Sequence, residues 1–390
     1  MNKYVETFDN WIRTSFAEIN TELEGIYFTQ EDRSAIEPAG ENLRTQLVDE
    51  GRDHIINLLK EGNTDEGFDQ AFGLLGDVGF YMAACRRHLI TEPTRERTSP
   101  LKEASALAME LGASLGVIPR FATSHLATHN PSKNGTYKSF TTLSDEYLFL
   151  DYNTRSVFAF KRAADALVRI LPMGISHPVS YHLLMDAKIA LEDVFKINEE
   201  LFKLLDIDQF FYSVRPYYKP VRVGRHEYRG ANAGDFAGIN EVDILLGLCN
   251  ANNMSYSQLL VDKLLYMMPD DQARLRDVLR RTSLLDNIMA IDKKHTSEDW
   301  YQRNVGLFIE VAEAHGRTAT QHHDQLVNKF IQKPSSALPE QDLKNITASG
   351  PPLHVLLDSL EKLRDLRTAA QRDDIPSRYT DFETLRERIR

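Results

Sequence analysis

The residues best suited to chemistry lie between Asp208 and Leu248. Phe210, Phe211, Tyr212, Tyr217 and Tyr218 crowd around a single arginine, Arg215. Aromatic faces stack on a flat ligand, and a guanidinium grips a carboxylate through a fork of donors. A basic, turn-rich connection through Pro220 and Gly224 leads to Gly230, Ala231, Ala233, Gly234, Ala237 and Gly238, with Asn232 among them. Small residues let a backbone approach something large and planar. Taken alone, the same pattern also describes an aromatic core helix followed by a loop. The other chemistry-bearing groups are the twelve histidines. His54, His88, His226 and His295 sit among charges and read as solvated. His125 and His129 share a helix face at i, i+4, but no third ligand is in view. His322 and His323 fall at the two edges of a face formed by Phe308, Val311, His315, Ala319, Leu326 and Phe330, so periodicity does not choose between them.

The elements that must position these groups are helical. Apolar spacing predicts helices over 4–24, 40–62 and 66–91, and a second group begins at Leu101 after the proline-bearing connector 91–100. Gly73, Gly76 and Gly79 read as close helix packing, because no Lys-Ser or Lys-Thr follows them to make a phosphate loop. Long amphipathic helices follow at 143–171 and 180–205, short ones at 256–267, 270–281 and 283–292, and a long one at 297–332. Residues 333–350 read as a mobile loop, the PPLHVLLDSLEKLRDLR segment as a last amphipathic helix, and 373–390 as charged surface. No repeat and no β-alternation is present, so the fold class is all-α. The expected organisation is an N-terminal helical region, 1–100, and a larger helical domain, 101–390.

A net charge of −11 argues against nucleic-acid or anionic-membrane partners. Cys85 and Cys249 make neither a disulfide framework nor a metal cluster, which fits a reduced cytoplasmic setting. The first residues lack the apolar core of a secretion signal, and no apolar run spans a membrane.

FFYSVRPYYKPVRVG, the small-residue loop and EVDILLGL together resemble the indoleamine 2,3-dioxygenase superfamily. Within it they point to the pyrrolnitrin-pathway branch, the monodechloroaminopyrrolnitrin synthases, through the shared RP-aromatic-Y-x-P-x-RVG phrase. HDQLVNKFI matches the superfamily phrase around the proximal histidine and falls on His323. The recognisable segments run in the expected order from residue 101 to 372. The resemblance implies an all-α enzyme with haem b iron held by His323, Phe160 and Ala164 on the opposite haem face, and Asn232, Ala233 and Gly234 along the haem. It implies Phe210 and Phe211 packed on an indole, Arg215 on the substrate carboxylate, and Ser349 and Gly350 in a loop near the substrate. The implied reaction is oxygenation of tryptophan or a related aromatic amino acid, with O₂ as co-substrate at ferrous haem. Alternatives are haem-dependent rearrangement or hydroxylation of such an amino acid, and a helical haem-binding protein without turnover. Four residues depart from the ring-cleaving pattern. Ala164 and Asn232 stand where serines are usual, and Pro351 and Pro352 stiffen the loop.

Overall fold

The computed structural model describes residues 2–62, 67–336 and 353–389. In chain order the helices are α1 (Lys3–Arg13), α2 (Ser15–Phe28), α3 (Glu41–Glu61), α4 (Phe68–Arg87), α5 (Lys102–Leu115), α6 (Thr123–Leu126), α7 (Ser144–Met173) and α8 (Pro178–Leu204). A short turn, α9 (Ile207–Gln209), leads into a π-helical turn (Phe210–Val214) and a 3₁₀ turn (Arg215–Tyr218). Then come α10 (Ala237–Leu245), α11 (Met254–Leu264), α12 (Pro269–Val278), α13 (Leu284–Met289) and α14 (Asp299–Gln321). A π-helical stretch (His322–Gln332), α15 (Lys333–Ser336), α16 (Leu353–Arg367) and α17 (Tyr379–Arg388) complete the order.

The protein is essentially all-α, as its periodicity predicts. Among the described residues the sheet structure is one antiparallel hairpin, β1 (Val221–Val223) with β2 (His226–Tyr228), turned at Gly224 with φ +57°. The single helix expected over 4–24 breaks at Thr14, whose φ −124° and ψ −99° lie outside the helical region. The expected loop at 333–350 begins with helix α15, and the rest of it, including Ser349 and Gly350, lies outside the described residues.

Two compact units form. The first draws on Met1–Asp151, Leu204–Asp235 and Lys329–Pro352, the second on Tyr152–Lys203, Phe236–Asn328 and Leu353–Arg390. The expected boundary at residue 100 falls inside the first unit, because α4 and α5 pack on each other across it. Helix α4 is buried nearly all round, and α5 offers it Ala104, Leu107, Ala108 and Leu111. Of the three α4 glycines read as packing positions, Gly73 has nothing within 4 Å, while Gly76 and Gly79 make close approaches to the chain after α5. A side chain at Gly79 would run into the Phe121 backbone, and one at Gly76 into the His125 ring. The centre of this unit is aromatic, with Phe140 stacked on Tyr217 at 4.5 Å and on edge against Phe121 at 5.5 Å.

The second unit builds one core from α7, α8, α10, α14 and the C-terminal helices, including Leu167, Leu191, Val242, Val305, Phe308 and Val311. Helix α7 stops at Gly174, which takes φ +81°, a left-handed conformation open to glycine. No helix is long and apolar enough to cross a membrane among the described residues.

One ionisable group in the first unit makes its stability pH-dependent. Glu146 accepts hydrogen bonds from the Phe140 and Thr141 N–H groups at 2.7 Å each and from Thr141 Oγ1 at 2.6 Å. Burial nevertheless pushes its pKa up to about 7. An acid raised on folding adds nothing unfavourable while protonated in both states. It destabilises once it must ionise inside the protein. The melting temperature is therefore expected to fall as pH rises from the ordinary carboxylate range through about 7. Glu146→Gln is expected to flatten that slope in a thermal-melt series. An unchanged slope would refute the assignment.

Candidate active site

In the first unit, Asp206 caps α9 by accepting the Gln209 N–H at 2.8 Å, and the chain then widens into the π-turn. This local geometry presents Phe210, Phe211 and Arg215. The Phe210 ring sits 5.1 Å from Phe149 and 6.0 Å from Phe330. The Arg215 guanidinium lies 5.7 Å from the Phe211 ring centroid, a cation–π contact. Arg215 is 6 % exposed, and its guanidinium forms no ion pair or hydrogen bond with the described residues. Burial alone pushes its pKa down to about 10, so the charge persists at neutral pH, with no acidic neighbour among the described residues to offset it.

The small-residue loop in the same unit is held tightly. Asp235, 4 % exposed, accepts both arms of the Arg229 fork at 2.8 Å and the Asn232 N–H at 3.0 Å. Thr123 Oγ1 donates to the Asn232 carbonyl at 2.6 Å. The Asn232 side chain turns back so that Oδ1 accepts the Gly234 N–H at 2.9 Å. That fixes the amide and leaves Nδ2 as the outward donor. Ala233 and Gly234 are half-buried.

In the second unit, α14 carries His315 inward. Its Nε2 lies 2.7 Å from Asp243, which also takes the Arg367 fork at 2.8 and 2.8 Å and the Tyr256 hydroxyl at 2.8 Å. Burial would raise the Asp243 pKa, but the Arg367 charge and these donors hold it well below the carboxylate range. The Phe160 ring meets His315 edge-on at 6.1 Å and Phe236 at 5.8 Å. Ala164 is fully covered and belongs to the packed core.

The two candidate iron ligands differ in their surroundings. His322 keeps open surface, yet burial among protein atoms, reinforced by the Arg367, His323 and Lys263 charges, lowers its pKa to about 4. It forms no hydrogen bond with the described residues. The His323 Nδ1 lies 3.0 Å from Asp324 Oδ1 and 3.3 Å from Arg364 Nη1, while Nε2 has no partner among the described residues. Iron-ligating histidines present one nitrogen to the metal and have the other held, commonly by a carboxylate. The donor set at His323 fits a haem iron.

The remaining histidines divide differently from their sequence surroundings. His88, expected in solvent, is fully buried, with Asn20 Oδ1 2.8 Å from its Nε2 and Tyr27 OH 3.2 Å from its Nδ1. Its charged sequence neighbour Arg87 is itself buried against Glu24, so nearby charge did not mean nearby water. His125 uses both nitrogens, accepting the Ala122 N–H at 2.8 Å and lying 2.8 Å from the Phe72 carbonyl. Burial takes its pKa down to about 3, and no metal-holding cluster exists among the described residues.

The second unit also contains a cavity of about 550 Å³ walled by Phe195, Leu248, Gly316, Phe382 and Arg367. Neither His322 nor His323 lines it, although their neighbour Asp324 does. Asp243, Arg364 and Asp324 were not singled out from sequence. The one available sign was the acid inside the apolar run EVDILLGL.

Of the residues singled out from sequence, Phe210, Phe211, Arg215 and the Asn232–Gly234 loop belong to the first unit, and Phe160, Ala164 and His323 to the second. Against known families, the model described as monodechloroaminopyrrolnitrin synthase PrnB matches residues 2–389. With nearly its whole length matched, the chain belongs to the monodechloroaminopyrrolnitrin synthase PrnB family, whose members are haem-dependent oxidoreductases.

Proposed function

We propose that this enzyme uses O₂ to oxidise tryptophan or a close aromatic amino acid relative. The observation that carries the proposal is Arg215, a buried guanidinium without an anionic partner among the described residues, set beside Phe210 and Phe211. A zwitterionic amino acid with a flat side chain supplies both a carboxylate for the fork and a face for the rings.

Haem, when bound, supplies the oxygen-activating redox chemistry. His323 Nε2 would hold the iron, with Asp324 at Nδ1 orienting the ring. Arg215 fixes the substrate carboxylate, and Phe210 and Phe211 fix the plane of the ring and keep water away. Asn232 Nδ2 donates from a side chain already locked by the Gly234 N–H. Phe160, with its ring braced by His315 and Phe236, forms haem wall, and Ala164 backs it from the core. Ser349 and Gly350 complete the substrate surroundings by resemblance alone.

Membership in the pyrrolnitrin family, with Asn232 and Ala164 in place of serines, favours a second reading in which the amino acid is rearranged or hydroxylated. Product mass separates the readings. Hemin-reconstituted, reduced protein given tryptophan and ¹⁸O₂ should show a tryptophan-dependent Soret shift and consume tryptophan. Two ¹⁸O atoms in an N-formylkynurenine product mean ring cleavage, whereas a product with no ¹⁸O means rearrangement and one with a single ¹⁸O means hydroxylation. Absence of both the shift and consumption would overturn the substrate class.

A further inference from the structure

The turn that carries the proposed clamp has a backbone weakness, and a charged pair far away in sequence sits on it. In an α-helical continuation the carbonyl of Tyr212 would accept from residue 216, but that residue is Pro216, which has no N–H. The part-buried carbonyl still requires a donor. It finds one in Arg87 Nη2, at 3.0 Å. Arg87 is itself held by Glu24 through two bonds of 2.7 Å, Nε to Oε1 and Nη2 to Oε2, with both side chains 1 % exposed. Its guanidinium also lies 5.2 Å from the centroid of the Tyr27 ring. The end of α4 and the middle of α2 are thereby joined to the turn three residues before Arg215.

We infer that Glu24 and Arg87 are positioning residues for the substrate carboxylate, fixing the direction of Arg215 through the Tyr212 carbonyl. The argument rests on Arg215 being the carboxylate clamp. A fork that reads a bidentate anion tolerates little angular error, so an anchor three residues away governs its fit. The pair touches the turn at the Tyr212 carbonyl and, through Glu24, at the Tyr217 side chain, on either side of Arg215. A positioning role then predicts an effect selective for ligands with a carboxylate.

The test compares tryptophan with 3-methylindole, which keeps the ring and lacks the amino-acid part. Two variants of the haem-loaded protein are used. Glu24→Leu/Arg87→Met removes both charges without leaving either one stranded. Arg87→Lys keeps the charge facing Glu24 but loses the fork that reaches Tyr212, and so survives if the double variant fails to fold. Titration by Soret shift is expected to show tryptophan binding weakened about tenfold, the scale of one hydrogen bond to a charged group, with 3-methylindole affinity unchanged. A merely structural pair would lower the melting temperature and shift both ligands alike or neither, and either result overturns the inference. Arg215→Ala run alongside separates the two levels. If it leaves tryptophan affinity unchanged, the clamp reading fails. If it weakens tryptophan and the pair variants do not, only the positioning role fails.

Discussion

His323→Ala is expected to purify without a Soret band and to take up added hemin poorly, whereas His322→Ala keeps the spectrum nearly intact. The reason lies in the second nitrogen. His323 Nδ1 is held by Asp324 at 3.0 Å, which leaves Nε2 as the nitrogen for iron. His322 has open surface and a pKa lowered to about 4, so it is neutral at working pH and chemically able to bind a metal. It lacks the anchoring partner that ligating histidines have. The two variants therefore form a direct contest, read by absorbance alone. The reverse pattern would move the iron ligand to His322 and turn His323 into a helix-surface residue tied to Asp324 and Arg364. Asp324→Asn adds a graded check, because weakening the acceptor at Nδ1 should raise the haem midpoint potential without emptying the site.

Arg215→Ala is expected to weaken tryptophan binding tens- to hundreds-fold while haem content stays unchanged. Two charge-assisted hydrogen bonds, each roughly 1.5–3 kcal/mol, are lost, and about 1.4 kcal/mol corresponds to one decade. Arg215→Lys should recover only part of the loss, since a point charge does not reproduce the fork. The structure sharpens the alternative outcome. Arg215 is buried and, among the described residues, has no acidic partner, so removing it relieves an uncompensated charge. The melting temperature of Arg215→Ala in the absence of substrate should then hold or rise. A destabilised variant with normal tryptophan-induced spectral shifts would mark Arg215 as a packing residue and remove the clamp from the mechanism.

Much of the site was legible because its parts are contiguous in sequence. Phe210, Phe211 and Arg215 fall within six positions, and the Asn232–Gly234 loop announces itself by composition. Periodicity could not choose between His322 and His323, for a specific reason. A helical wheel advances each residue by about 100°. At His322 the chain leaves α-geometry for an eleven-residue π-helical stretch, so the phase extrapolated from α14 no longer holds. His88 failed for a different reason. Its neighbours Arg86 and Arg87 suggest water, but the partner that lets Arg87 be buried is 63 residues away.

The sequence by itself determined the all-α class, through apolar spacing that only helices can bury on one face, and the aromatic setting of Arg215. The family resemblance, not periodicity, proposed His323 as the iron ligand. Tertiary structure alone decided which charges are paired. Glu24 meets Arg87, and Asp243 meets Arg367 across 124 positions, while Arg215 is left without a described partner. Apolar burial is a sum over local pattern, which periodicity reads directly. The state of a buried charge depends on one counter-charge at hydrogen-bonding distance, and no local pattern names the residue that will supply it.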